Sequence, residues 1–98
     1  MHYPGAASTA FIDNLGKIEA QLDGVVDHGS DDDLFIASYL QGHFAVIARQ
    51  QEMSKDASIR TLDEAVTASL NAAFDNYELE PDDQKKVFGL WQQLLASI

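Results

Sequence analysis

The sequence predicts an all-α fold, an antiparallel up-down-up-down four-helix bundle. Apolar residues recur at spacings of three and four in four separate segments, which is the period of a helix that buries one face. No stretch alternates apolar and polar residues over six or more positions, as a half-buried strand would. Prolines occur only at positions 4 and 81, so none lies in the interior of a predicted helix.

The first helix is predicted over residues 7–27. Its apolar stripe consists of Phe11, Leu15, Ile18, Leu22 and Val25. Gly29 follows in the position of a C′ glycine, which commonly ends a helix in the left-handed conformation. His28 lies at the same end, where ring N–H groups can reach the last carbonyl groups.

The second helix is predicted over residues 30–52, with Ser30 as N-cap and Asp33 completing a capping box. Its apolar positions are Ile36, Tyr39, Leu40, Phe44 and Ile47, with Phe35 and Val46 widening the stripe. This arc covers roughly 200° of a helical wheel, wider than a core-facing helix requires. The helix is therefore expected either to be the central one or to present the flank of Phe35, Tyr39, Gly42 and Val46 to another molecule.

The third helix is predicted over residues 61–76, opened by a capping box of Thr61 and Glu64. Its stripe consists of Leu62, Val66, Leu70 and Phe74. The fourth is predicted over residues 81–97, with Pro81 in the first helical position. Its apolar face consists of Val87, Phe88, Trp91, Leu94, Leu95 and Ile98. Glycines inside the helical patterns (16, 24, 42 and 89) are expected where another backbone approaches closely.

Length and composition limit the domain organisation, the partners and the chemistry that this protein can have. With 98 residues there is room for one domain, 1–98, in which residues 1–6 are expected to be a flexible extension. A net charge of −10 argues against nucleic acid and anionic membranes as partners. The absence of cysteine excludes thiol chemistry and disulfides. The first ten residues lack signal-peptide features and no apolar run approaches a membrane span, so a cytoplasmic protein is expected.

Most of the charge is expected at one end of the bundle, because the first and third connectors of this topology lie together. Nine of the sixteen carboxylates belong to these connectors and their flanks. Five of them fill the first turns of helices, where the helix dipole favours acids. The other four are Asp27, Asp75, Glu78 and Glu80. They are either a solvated surface that aids solubility or a site for a basic partner or a divalent cation, although no EF-hand pattern is present.

His43 falls in the middle of the apolar arc of the second helix. It is expected either as a core histidine bonded to a carbonyl or a tyrosine hydroxyl, or as an interior ligand group beside Tyr39. About 20 Å of helix separates His43 from the acidic end, so His28 and His43 should not share a site. No E-x-x-H motif, nucleophile elbow or phosphate loop is present. We therefore expect no metal, no cofactor and no enzyme; the weakest alternative is catalysis with His43 as base.

Two segments resemble the YfcL-like family of small bacterial proteins. They are residues 26–35 (VDHGSDDDLF), continuing to 39–43 (YLQGH), and residues 78–84 (ELEPDDQ), followed by Val87 and Trp91. The resemblance covers roughly residues 11–96. It implies a short cytoplasmic helical protein and supplies no catalytic or binding residues to carry over.

The function expected from these observations is a non-catalytic protein–protein interaction module. It would bind a protein with a basic surface, or a second copy of itself. The surface would be the acidic end (Asp27, Asp75, Glu78, Glu80) or the wide face of the second helix (Phe35, Tyr39). The alternative is a binder of a small molecule or metal in an interior site around His43 and Tyr39.

Overall fold

A computed structural model describes residues 7–76 and 79–98 of the chain. It contains α1 (Thr9–His28), α2 (Asp31–Glu52), α3 (Ile59–Asp75) and α4 (Pro81–Ala96), and no strand occurs in these described residues. The predicted all-α fold with four helices is confirmed, and each boundary lies within two residues of its prediction. The extension predicted for residues 1–6 lies outside the described residues.

The helix starts follow local hydrogen bonding. In α2, Ser30 and Asp33 form the predicted capping box, with both side chains accepting backbone N–H groups at 3.2 Å. The capping box predicted at Thr61 is wrong, because the N-cap of α3 is Ser58 and Thr61 is its third-position partner. Ser58 Oγ accepts the Thr61 N–H at 3.2 Å and Thr61 Oγ1 accepts the Ser58 N–H at 2.9 Å. The helix therefore begins two residues before the predicted start.

Gly29 joins α1 to α2 in a way the sequence did not predict. Its backbone is extended, with φ −81° and ψ 170°, and its N–H donates to the carbonyl of Val25. A Cβ atom at this position would lie 2.7 Å from both the Val25 oxygen and the Asp33 Cβ. Glycine is thus required by the close approach of two helix ends, and not by a left-handed conformation.

The core is built on α2, which packs against α1, α3 and α4. Its inward residues are Ile36, Ala37, Leu40, Phe44 and Ala48. Phe44 meets Trp91 of α4 with ring centroids 6.0 Å apart, and Trp91 is fully buried. Leu79 is buried just before the start of α4. Because α4 packs on α2 more extensively than on α1, the arrangement departs from a square bundle in which α2 and α4 are diagonal.

Contacts between helices show how consecutive helices run. The Ala7 N–H, before α1, donates to the Glu52 carbonyl at the end of α2. Thr61, near the start of α3, donates to Gln51 near the end of α2. Later in α3, Phe74 stacks on Tyr39 of α2 at 6.3 Å. At these contacts α1 and α3 each run opposite to α2.

The glycines inside the helices do not mark close backbone approaches. A Cβ atom built at position 16, 24, 42 or 89 meets no neighbouring atom within 4 Å. The expectation of close approach within the fold is therefore wrong at all four positions. In the described part of the chain, none of the helices combines the length and apolarity needed to cross a membrane.

Candidate protein-interaction site

The acidic first turns of α2 and α4 lie side by side. Lys86 of α4 forms an ion pair with Asp32 of α2, with 2.7 Å between Nζ and Oδ2. The hydrogen bond to Asp32 raises the pKa of Lys86, and the negative charges of Asp32, Asp83 and Asp82 raise it further. Carboxylates of two helices therefore surround one ammonium group, and the start of α2 and the start of α4 share one end of the protein.

The carboxylates that helix N-termini do not explain were predicted to lie at this end, and the described ones occupy different positions. Asp27 is exposed in the last turn of α1, Asp75 is the exposed last residue of α3, and Glu80 is the exposed N-cap of α4. Glu80 makes no side-chain cap bond. Glu78 lies outside the described residues. Within residues 7–76 and 79–98, no group of three or more His, Asp or Glu side chains could hold a metal ion.

One side of α2 forms an apolar surface, which we call the α2 strip: Phe35, Tyr39, Gly42 and Val46. Phe35 is 48% exposed and Val46 is 60% exposed. Tyr39 is half-buried, with its ring centroid 4.9 Å from that of His43. Of the two alternatives for the wide arc of α2, the central position is confirmed, and the flank formed by the α2 strip faces solvent.

The α2 strip begins at the acidic end. Asp31 precedes Phe35 by four residues, so one face of α2 carries both side chains. Asp75 follows Phe74, whose ring stacks on Tyr39, so the end of α3 lies beside the strip. The α2 strip therefore adjoins the acidic end at Asp31 and Asp75.

His43 lies at the edge between α2 and α3 and not in the interior. Its ring is half-buried, and its Nδ1 lies 2.8 Å from the Oγ of Ser69. The expected interior position is wrong because the buried face of α2 centres on Ile36, Leu40 and Phe44. These residues lie to one side of the middle of the apolar arc, where His43 is located. The expected carbonyl or tyrosine partner is replaced here by the Ser69 hydroxyl.

The His43–Ser69 pair opens onto a shallow cavity of about 370 Å³, lined by these two residues with Tyr39, Gly42 and Val46. The pair thus adds hydrogen-bonding groups to an otherwise apolar strip. Ser69 is not among the residues that the sequence indicates as functional. Its pairing with His43 depends on the register of α3 against α2, which no local pattern indicates.

A second polar contact that the sequence did not indicate joins α3 to α4. The indole Nε1–H of Trp91 donates to Oδ1 of Asp63 at 2.8 Å. Thr67 donates to the same oxygen at 3.2 Å. Trp91 is fully buried and Asp63 is half-buried, so this carboxylate satisfies a donor at the margin of the core.

Comparison with known proteins assigns the chain to a family. The profile of the YfcL protein family matches residues 13–96. The chain belongs to the YfcL family. A similar protein, Uncharacterized protein YfcL of Escherichia coli (strain K12), is 40% identical over 78 residues, or 80% of this chain and 85% of that relative. No solved structure matches this chain. The first YfcL-like segment leads from α1 into α2 and the second leads into α4, and the starts of α2 and α4 share the acidic end.

Proposed function

We propose that this YfcL-family protein is a non-catalytic interaction module that binds another protein through the α2 strip. The observation that carries the proposal is the exposure of Phe35 (48%) and Val46 (60%) on one face of the helix that contacts all three others. Single exposed apolar residues are normal, whereas a run of them on one face is typical of binding surfaces. Gly42 lies between them with open space above it, so a partner can approach the backbone there.

The charges beside the strip indicate the chemistry of the partner. Asp31 lies on the same face as Phe35, and Asp75 lies at the neighbouring end of α3. A partner with apolar anchors flanked by Lys or Arg would complement both features. A second copy is less suitable, because two chains of charge −10 repel each other.

Binding fits the His43–Ser69 pair better than catalysis does. Ser69 lies in the interior of α3, where backbone N–H groups are occupied by the helix. Nothing at Ser69 itself therefore offers the backbone N–H donors that stabilise an oxyanion in acyl transfer. In a complex, the pair would exchange hydrogen bonds with a polar group of the partner. The family resemblance supports a cytoplasmic setting for this binding.

The test compares tagged variants in affinity capture from native lysate. The strip variant Phe35→Ser/Val46→Ser is matched by Met53→Ser, since Met53 is also exposed (74%) but lies at the other end of α2. We expect one partner to be retained by wild type and Met53→Ser, lost from the strip variant, and released by salt. Circular dichroism checks that each variant is folded.

A second set of variants tests the charges. Asp27→Asn, Asp75→Asn, Glu78→Gln and Glu80→Gln together should weaken capture of the same partner at low salt, and Asp13→Asn with Glu64→Gln serves as control. Retention of every partner by a folded strip variant would refute the proposal. Concentration-dependent sedimentation of wild type, abolished in the strip variant, would instead identify a second copy as the occupant.

A small molecule is the second candidate ligand, because the His43–Ser69 pair and the Tyr39 ring line the same cavity. Thermal-shift measurements with metabolites and divalent metals test this candidate. A ligand that raises the Tm of wild type and not of His43→Gln or Ser69→Ala would support it. Equal shifts in all three proteins would place any binding elsewhere.

A further inference from the structure

A groove runs between α1 and α4, on residues that the α2 strip does not include. We call it the α1–α4 groove; it is formed by Gln21, Gly24 and Val25 of α1 and by Gly89, Leu90 and Gln93 of α4. It consists of two adjoining open cavities of about 410 and 610 Å³. Both cavities share the apolar residues Val25 and Leu90 and the polar residues Asp33 and Gln93.

A polar contact lies near each end of the groove. At one end, Gln21 of α1 donates to the Ser97 hydroxyl after α4 at 2.6 Å. At the other end, Lys86 of α4 is held by Asp32 of α2 at 2.7 Å. Eleven residues separate Lys86 from Ser97, which is about 16 Å of helix, or three turns.

The charge of the groove differs between its ends. Asp32 and Asp33 line it where α2 begins, beside His28 at the end of α1, and Lys86 there is already paired with Asp32. Asp33 uses Oδ2 to accept the Ser30 N–H, a contact that leaves Oδ1 able to accept a hydrogen bond from another donor. Neutral side chains, Gln21 and Ser97, line the other end. A ligand with positive charge at one end would therefore have a defined orientation.

Each wall of the groove contains a glycine, so no side chain projects from the wall at that point. Gly24 lines the groove from α1 and Gly89 lines it from α4, and a Cβ atom at either position would meet nothing within 4 Å. Neither glycine is needed by a contact within the fold, although glycine weakens a helix relative to alanine. Glycine on both walls would allow the backbone of a partner helix to approach closely.

We propose that the α1–α4 groove receives a basic amphipathic helix of about three turns from another protein. Its small or apolar face would pack on Val25 and Leu90, and its Lys or Arg residues would face Asp33. A second copy of this chain does not fit, because sixteen acidic against six basic residues would bring like charges to the acidic end.

The probe is a display library of 15-residue helical peptides, selected on the full-length wild-type protein. The groove variant Gly24→Leu/Gly89→Leu fills both walls, and Gly16→Leu is the matched control, since Gly16 is equally open but does not line the groove. Affinities of the selected peptides are measured by fluorescence anisotropy at two salt concentrations, and circular dichroism confirms that the variants fold.

We expect selected peptides to carry apolar or small residues at helical spacing and Lys or Arg at one end. Their affinity should fall by about ten-fold or more in the groove variant and in Asp33→Asn, and stay unchanged in Gly16→Leu. Peptides without this pattern, or peptides that bind the groove variant as tightly as wild type, would overturn the proposal. Salt-sensitive binding with equal affinity for wild type and the groove variant would show that the peptides are attracted to the acidic end alone. Because the groove and the α2 strip share no residue, Phe35→Ser/Val46→Ser distinguishes failure here from failure of the proposed function.

Discussion

Replacing Asp63 with alanine removes the acceptor for the indole N–H of Trp91. The bond from Nε1 to Oδ1 is 2.8 Å long and joins α4 to α3. Trp91 is 0% exposed, so its N–H cannot turn to water when the carboxylate is lost. Thr67 loses its contact with the same oxygen as well, at 3.2 Å. The substitution therefore leaves a buried donor without its partner and frees a neighbouring hydroxyl.

The size of the loss follows from these contacts. A hydrogen bond to a charged group contributes about 1.5–3 kcal/mol, and an unpaired buried donor costs about 1–3 kcal/mol. Asp63 is half-buried and keeps part of its hydration, which favours the lower half of this range. We expect Asp63→Ala to lower the free energy of unfolding by about 1.5–2 kcal/mol. For a domain of this size the Tm should fall by about 6–16 °C.

Urea unfolding followed by fluorescence measures this loss directly, because Trp91 is the one tryptophan of the chain. Glu64→Ala is the matched control, since Glu64 is the next residue and its 3.8 Å contact with Arg60 is between exposed side chains. That control should change stability by about 0.5 kcal/mol or less. Asp63→Asn keeps an oxygen acceptor and should lose less than Asp63→Ala. Equal stability of Asp63→Ala and Glu64→Ala would refute the assignment of this bond as a stabilising contact.

Three further substitutions test other parts of the structure. Gly29→Ala should lower the free energy of unfolding by about 1–3 kcal/mol in urea, because its Cβ would overlap the Val25 carbonyl; an unchanged midpoint would contradict this. Gly42→Ala should raise it by about 0.5–1 kcal/mol, since its Cβ meets nothing and alanine favours the helix; a lower Tm would contradict this. The raised pKa of Lys86 means that its ion pair stabilises the fold below pH 10.5 and loses this effect as pH rises through the folded-state pKa. The difference in Tm between wild type and Lys86→Gln should therefore disappear at higher pH, and a difference that persists would point to another cause.

Local sequence patterns account for much of the fold. The features that they did not predict share a physical reason. The period of apolar residues located every helix, and Ser30 with Asp33 located the start of α2, because these signals act within one or two turns. The contacts of His43 with Ser69 and of Trp91 with Asp63 join residues 26 and 28 positions apart. They depend on how the helices are set against one another, which a helical wheel does not contain.

Gly29 illustrates the same limit at a helix end. A glycine after a helix is typical of the left-handed C′ conformation, yet here the crowding comes from Asp33 of the next helix. Likewise, the wheel places His43 in the middle of the apolar arc, but the surrounding helices cover the Ile36–Leu40–Phe44 side instead. In both cases the residue type marked an informative position. The physical reason for that residue, however, depends on how the helices pack against one another.

The three aspartates that open α2 show how one local signal can serve two surfaces. Their enrichment is explained by the helix N-terminus alone, and the capping box confirms this for Asp33. Successive residues on a helix, however, point about 100° apart. Asp31 therefore lies on the face of Phe35, while Asp32 and Asp33 line the α1–α4 groove. Residues that stabilise the start of α2 thus also give negative charge to the α2 strip and to the groove, so both proposed partners should be basic at the same end of the protein.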